Sequence, residues 1–258
     1  MQPRYWTAVL AAAVGVSIGC SGWLSAQPNN APQRNSVTVV QVRPDAALAW
    51  REFQEKQTVP ALKKGGITQR DVYEVIYGPA AQFRIVQPLT KFADRDNPQS
   101  PVARALGDAA FRTYLETLQK MQVSANTTIL EGIPDASYDP NPNAIYPVLV
   151  LTRLHVAPGK VADFQAYIHG ERAEAIKKGQ AKRELISRLL FGGDNNEFRI
   201  ANFEEKIAAL DGQAPLVRAL GTDGVAKLTT KQAGVVLSTE RTVWRRVEAL
   251  SFRPKPTT

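Results

Sequence analysis

The feature that most constrains this fold is a repeat. Lys63-Lys64-Gly65 recurs as Lys177-Lys178-Gly179, Phe83-Arg84-Ile85 as Phe198-Arg199-Ile200, and Arg104-Ala105-Leu106-Gly107 as Arg218-Ala219-Leu220-Gly221. The first and last pairs stand 114 positions apart and the middle pair 115, so one residue of slippage falls in a turn. Three matches in one order at nearly constant spacing indicate tandem duplication of a unit of roughly 100 residues. A chain of 258 residues has room for two such units, each near the usual size of a domain. With 44% apolar and 22% charged residues the composition is that of a globular protein with a real core. Disorder is expected only at the ends.

Hydrophobic periodicity gives the two units the same order of elements. In the first, residues 37–42 read as a strand, and Pro44-Asp45 breaks it ahead of a helix with Trp50, Phe53 and Leu62 on its apolar stripe. Pro60 should kink that helix and Gly65-Gly66 stop it. Residues 71–77 and 82–87 form a hairpin about Gly78-Pro79, residues 102–121 a helix broken near Gly107, and residues 123–130 the closing strand. The linker, 132–147, is stiffened by Pro134, Pro140, Pro142 and Pro147. The second unit has a strand at 148–156, a helix at 161–178 and hairpin strands at 184–191 and 197–202 about Gly192-Gly193-Asp194-Asn195. Helical pieces at 204–210 and 215–233 follow, then a strand at 235–247. Each unit reads β-α-β-β-α-β, the ferredoxin-like arrangement, over residues 36–131 and 148–250, with a frayed tail at 251–258.

This duplicated order resembles the dimeric α/β-barrel superfamily, whose members include antibiotic-biosynthesis monooxygenases, NIPSNAP-type proteins and haem-binding chlorite dismutases. The resemblance covers residues 36 to about 250 and rests on element order and duplication, without a catalytic signature. It implies an α+β fold in which two tandem ferredoxin-like repeats close into one intramolecular barrel with helices outside. The superfold hosts oxygenases, isomerases, haem proteins and non-enzymes, so it leaves the function open.

Alternation along a strand sorts side chains between two faces. Val40 and Val42 align with Leu154 and Val156, Phe83 and Ile85 with Phe198 and Ile200, and Val75 and Tyr77 with Leu189 and Phe191. These sets are apolar in both copies and are expected under the helices. The opposite face then carries Gln41 and His155, Glu74 and Arg188, Arg84 and Arg199, and Val39 and Arg153. The last strands add either Asn126 and Glu240 or Thr127 and Arg241. Charged groups between two sheets must be paired, hydrogen-bonded or wet. One expectation is therefore a polar pocket in which Arg153, Arg188, Arg199 and Arg84, with Glu74 beside them, hold an anion through the planar fork of arginine. The other is a structural ion-pair network that binds nothing.

His155 is the candidate general base, because histidine is matched to proton transfer near neutral pH. His169, on a helix beside Gly170, would be the candidate haem ligand, but no flanking pattern supports haem. Their counterparts in the first unit are Gln41 and Glu55, so a site using either occurs once. Trp50, Phe164 and Tyr167, with Phe53, offer a hydrophobic cleft between helix and sheet, or simply a core. No phosphate-binding glycine loop, metal-ligand cluster or Gly-x-Ser-x-Gly elbow occurs. No cofactor is implied, haem being the alternative kept open.

The N-terminus reads as an export segment: Arg4, an apolar run from Trp6 to Leu24, small residues at Ser25-Ala26, and a Pro/Asn-rich spacer to about residue 35. The run is also long enough for an uncleaved anchor. Cys20, the lone cysteine, lies within it and is either a lipidation site or part of a discarded peptide. The remainder has no thiol, hence no disulfide. The formal charge of +8 falls to +7 without Arg4; an exported basic chain meets anionic surfaces or small anions rather than nucleic acid. The expected function is that of an exported barrel protein binding a small organic or anionic ligand without catalysis. A cofactor-independent oxygenase or isomerase is the alternative.

Overall fold

The computed structural model describes residues 33–254, so the expected export segment and Cys20 lie outside the described residues. Eight strands form a closed barrel: β1 (Arg34–Val42), β2 (Asp71–Tyr77), β3 (Gln82–Pro88), β4 (Gln122–Gly132), β5 (Val148–Val156), β6 (Arg183–Phe191), β7 (Glu197–Glu204) and β8 (Val236–Arg246). Around the barrel they run β1-β3-β2-β8-β5-β7-β6-β4. Each repeat supplies four adjacent strands, β4-β1-β3-β2 and β8-β5-β7-β6. The repeats meet at two seams, β2–β8 and β4–β6, each with four residue pairs and an irregular step in register. All pairings are antiparallel.

Outside the barrel lie α1 (Ala47–Phe53), α2 (Val59–Lys64), α3 (Pro101–Leu106) and α4 (Asp108–Met121) from the first repeat. The second repeat supplies α5 (Val161–His169), α6 (Glu171–Lys178) and α7 (Pro215–Thr230). No helix of the described residues is long and apolar enough to cross a membrane. Between α1 and α2 the chain makes a π-turn at residues 54–58. This wider turn lets Pro60, which lacks an N–H and would crowd the carbonyl four residues back, sit at the start of α2 without breaking the path. The expected single helix at 161–178 instead breaks at Gly170 into α5 and α6.

The repeated motifs now have physical reasons. In each copy of Phe-Arg-Ile the phenylalanine points outward into a helix-facing core. Phe83 lies 4.3 Å from the Trp50 ring, and Phe198 4.7 Å from that of Phe164, centre to centre. Gly65 and Gly179 end α2 and α6 where the next helical segment passes so close that a Cβ would stand 2.2 Å from the Pro101 carbonyl oxygen or 2.0 Å from that of Pro215. Arg104 and Arg218 then donate to the Gly65 and Gly179 carbonyls, at 3.2 and 2.9 Å, satisfying helix ends that would otherwise lack donors. Gly107 and Gly221 break the following helices at φ 79° and 68° with ψ near 180°, a region open only to glycine.

The alternation assigned to β1, β3, β5 and β7 holds: Val40, Val42, Phe83, Leu154, Val156, Phe198 and Ile200 lie in the helix-facing cores. That assigned to β2 and β6 is out of phase by one residue. Val72 and Ile186 face the helices. Val75 and Leu189 instead pack into apolar clusters of the barrel interior. Each face of these strands carries apolar residues, Val72 and Ile186 outward and Val75 and Leu189 inward, while the charged Glu74 and Arg188 share the outer face. Apolarity alone therefore does not mark the face, and a one-residue slip exchanges the two. Tyr77 and Phe191, expected in the core, are exposed strand ends.

A candidate anion site in the barrel lumen

The inner face of the barrel is lined in layers by every second residue. On β3 and β7 those residues are Arg84 and Arg199, the middle letters of the repeated triplet. Tyr73 and Val39 flank Arg84 on the neighbouring strands, and Ser187 and Arg153 flank Arg199. Arg84, Arg199 and Leu151 form a waist that lines two chambers. The wider, of about 530 Å³, runs toward the starts of β1, β2, β5 and β6 and has apolar walls of Val37, Val86, Leu130, Leu149, Ala201 and Phe203. The narrower, of about 270 Å³, runs toward the hairpin turns and is mostly polar, with Gln41, Gln82, Ser124, Asn126, Thr128 and Thr242.

The two arginines are equivalent by sequence and unlike in surroundings. Arg199 donates to the Glu197 carboxylate at 2.7 Å and to the Thr128 hydroxyl at 3.3 Å. Arg84 is 5% exposed, and its Nε has no hydrogen-bond partner among the described residues. Burial, and then the like charge of Arg199, pull its proton affinity down to a pKa of about 9. Tyr73, beside it, is pushed up to about 12, mainly by burial and then by Asp71, so its phenol stays neutral at physiological pH.

The mouth of the wide chamber is covered by the proline-rich linker, of which Ile133, Pro134, Ser137, Asp139 and Pro142 line it. Arg183 latches this strap. It donates to Asp139 at 2.7 Å and to the Asn141 and Ala144 carbonyls, while its guanidinium stacks on Tyr146 and Phe203. Asp71, also at the mouth, is matched by Arg246 at 3.2 Å and Arg253 at 2.9 Å.

The residues expected to form the site divide. Arg84 and Arg199 come together at the waist. Arg153 lines the narrow chamber but is half exposed and bound to Glu240 at 3.1 Å. Asn126 and Glu240, rather than Thr127 and Arg241, face inward with it. Arg188 and Glu74 are on the outer face, following the phase of their strands. Arg188 joins Glu131 across the β4–β6 seam at 2.9 Å, where Arg34 meets the same carboxylate, and Glu74 pairs with Arg51 of α1 at 3.2 Å. Trp50 and Phe164 are wholly buried in the helix-facing cores, with Tyr167 packed beside Phe164. His155 lies at the rim, 3.5 Å from Asp194, and lines neither chamber; His169 is exposed at the end of α5. Sequence reasoning missed Tyr73, Thr128, Leu149, Leu151, Phe203 and Trp244. The repeat offset that aligns Thr128 with Thr242 was a usable signal for that layer.

A closed eight-stranded antiparallel barrel with two ferredoxin-like halves decides the fold. It is the dimeric α/β barrel, closed here within one chain. An "anthrone oxidase-like protein" has this fold with a TM-score of 0.60 and 12% identity over 84% of this chain and 92% of its own. A protein described as a "putative monooxygenase" from Fusobacterium nucleatum matches with a TM-score of 0.57 and 10% identity, over 88% of this chain and 100% of that one. Another so described, from Lactobacillus acidophilus, gives 0.50 and 11% over 86% and 96%. At such identities the dimeric α/β-barrel likeness is one of fold. No protein-family model and no curated protein matches the sequence.

Proposed function

We propose that the lumen binds a small organic anion, with its negative group at Arg84 and Arg199 and its apolar part in the wide chamber. The observation that carries this reading is Arg84: a buried guanidinium, without a partner on Nε, lining both chambers. Burying a charge without a partner costs several kcal/mol, and an anion in the chamber offsets that cost. Arginine suits the task, because its planar donors match a carboxylate or phosphate in pairs. Binding rather than catalysis is the favoured role, since the candidate base His155 lines neither chamber. The apolar N-terminal run from Trp6 to Leu24 supports an exported setting for this binding.

A thermal-shift screen of organic acids against the protein tests the proposal, because a ligand of the folded state raises its stability by mass action. A carboxylate should raise the melting temperature of the wild type and of Arg188→Ala, and leave Arg84→Met and Arg199→Met unmoved. Equal shifts in all four would place binding elsewhere. A buried cation that holds a carboxylate would also stabilise a substrate enolate, which favours a cofactor-independent oxygenase as the second reading. Oxygen uptake with phenolic or enolisable acids, lost in Arg84→Met, would establish it, and survival of that activity in His155→Ala would remove His155 as its base.

A further inference from the structure

We infer that the lumen ligand is a single-headed monocarboxylate with an apolar tail of medium length, seated head-first at the waist. This assignment rests on the anion reading above and narrows it.

The head follows from the charge at the waist. The Glu197 carboxylate is committed to Arg199 at 2.7 Å and stands 4.0 Å from Arg153, while among the described residues no carboxylate pairs with Arg84. One negative unit is wanted there. The direction follows from the walls. Beyond the waist one side offers Val86, Leu149, Leu185, Ala201 and Phe203, whereas the other offers Gln41, Gln82, Ser124 and Asn126. Hydrocarbon belongs in the first, since each methylene removed from water there is favourable, and polar groups lining the second would lose their solvent to it.

The single head follows from the mouth. Asp71 is already matched by Arg246 and Arg253, and Arg183 by Asp139 and two carbonyls. A second charge at the far end of the ligand would find only pairs already made. The length follows from the strands. Arg199 to Phe203 is four steps of about 3.3 Å, which at the usual barrel tilt is roughly 10 Å along the axis, room for about six to eight carbons.

The test is calorimetric titration of the full chain with straight-chain alkanoates from acetate to decanoate, alongside inorganic phosphate, suberate and octanol. Affinity should climb roughly fourfold per methylene, level off near octanoate, and be at least about tenfold weaker for suberate and octanol, the loss expected when a charge-assisted contact is missing or a charge is stranded. Ala201→Phe should move the optimum to a shorter chain; should that variant not fold, the wild-type chain-length profile decides alone. Acetate or phosphate binding as tightly as octanoate would keep the anion site and overturn the tail assignment. Octanol matching octanoate, or octanoate binding undiminished in Arg84→Met, would overturn the head at the waist and the anion reading with it. Silence from every probe would remove both.

Discussion

A residue that serves a ligand at the expense of the fold has a measurable signature, and Arg84 should show it. Replacing its buried guanidinium, whose Nε has no partner among the described residues, with methionine removes a desolvated charge while keeping the aliphatic volume. Unliganded Arg84→Met is therefore expected to be more stable than the wild type, by on the order of 1–4 kcal/mol in chemical denaturation, while losing anion binding. A purely structural arginine would give the reverse, a loss of stability. The depressed pKa of about 9 supplies a second expectation. The unfolded chain keeps this proton to higher pH than the folded one, so from pH 9 upward this group's cost to the fold shrinks and stability gains. Anion affinity has the opposite sign. It should be level from pH 6 to about pH 8 and fall above about pH 9, approaching tenfold per unit, as binding comes to require proton uptake. Titration at fixed ionic strength across that range checks it.

At the scale of elements the repeated glycines look alike in sequence and differ in cause. Gly65 and Gly179 have ordinary φ values of −77° and −75°, so their constraint is space alone: a methyl group would collide with a backbone carbonyl. Gly107 and Gly221 have nothing within 4 Å of a built Cβ, so their constraint is conformation alone. Gly107→Ala is expected to cost about 1–3 kcal/mol, the strain of a glycine-only conformation. Gly65→Ala should cost more, since two helical segments must part, and should lower the helical signal at equilibrium as well as the unfolding midpoint. The sequence made these elements legible because punctuation is local: Pro44, Gly65, Gly78 and Gly107 act within a turn of themselves. What stayed hidden is what a barrel adds. Closing the sheet gives the inner face apolar residues of its own, such as Val75 and Leu189, and ion pairs with Arg51 and Glu131 hold Glu74 and Arg188 on the outer face, so the phase of β2 and β6 is not legible from apolarity alone. The inward direction of Arg84 and Arg199 is legible because their flanking phenylalanine and isoleucine fix the phase of the strand. Trp50 and Phe164, plausible as a cleft, proved to be the rings on which Phe83 and Phe198 rest.

At the scale of the molecule, neither repeat closes a barrel alone. Each would expose the inner faces of four strands and two unpaired edges, at β4 and β2 or at β8 and β6. Residues 1–141 and 142–258 produced as separate chains are therefore expected to remain unfolded or aggregate apart, and to regain the native circular dichroism only when mixed. A half that folded and stayed monomeric alone would contradict this. The recombined barrel, like the intact one, should take up a single anion per pair of repeats despite the duplication.

That expected stoichiometry has a deeper source in one charge difference between the repeats that is left uncompensated at the waist, Arg153 and Glu240 cancelling each other. In a barrel of two identical subunits every side chain around the shared axis is present twice, so the charge gathered there can only be an even number. Here Glu197 lies two residues before Arg199 on β7 and accepts its hydrogen bond in one repeat, while its counterpart in the other is Gln82. Two guanidinium groups and one carboxylate leave a single positive unit, a sum no exact dimer can reach. Joining the halves in one polypeptide let them drift apart, and the drift turned the centre of a symmetric object into a place with an odd charge and a direction.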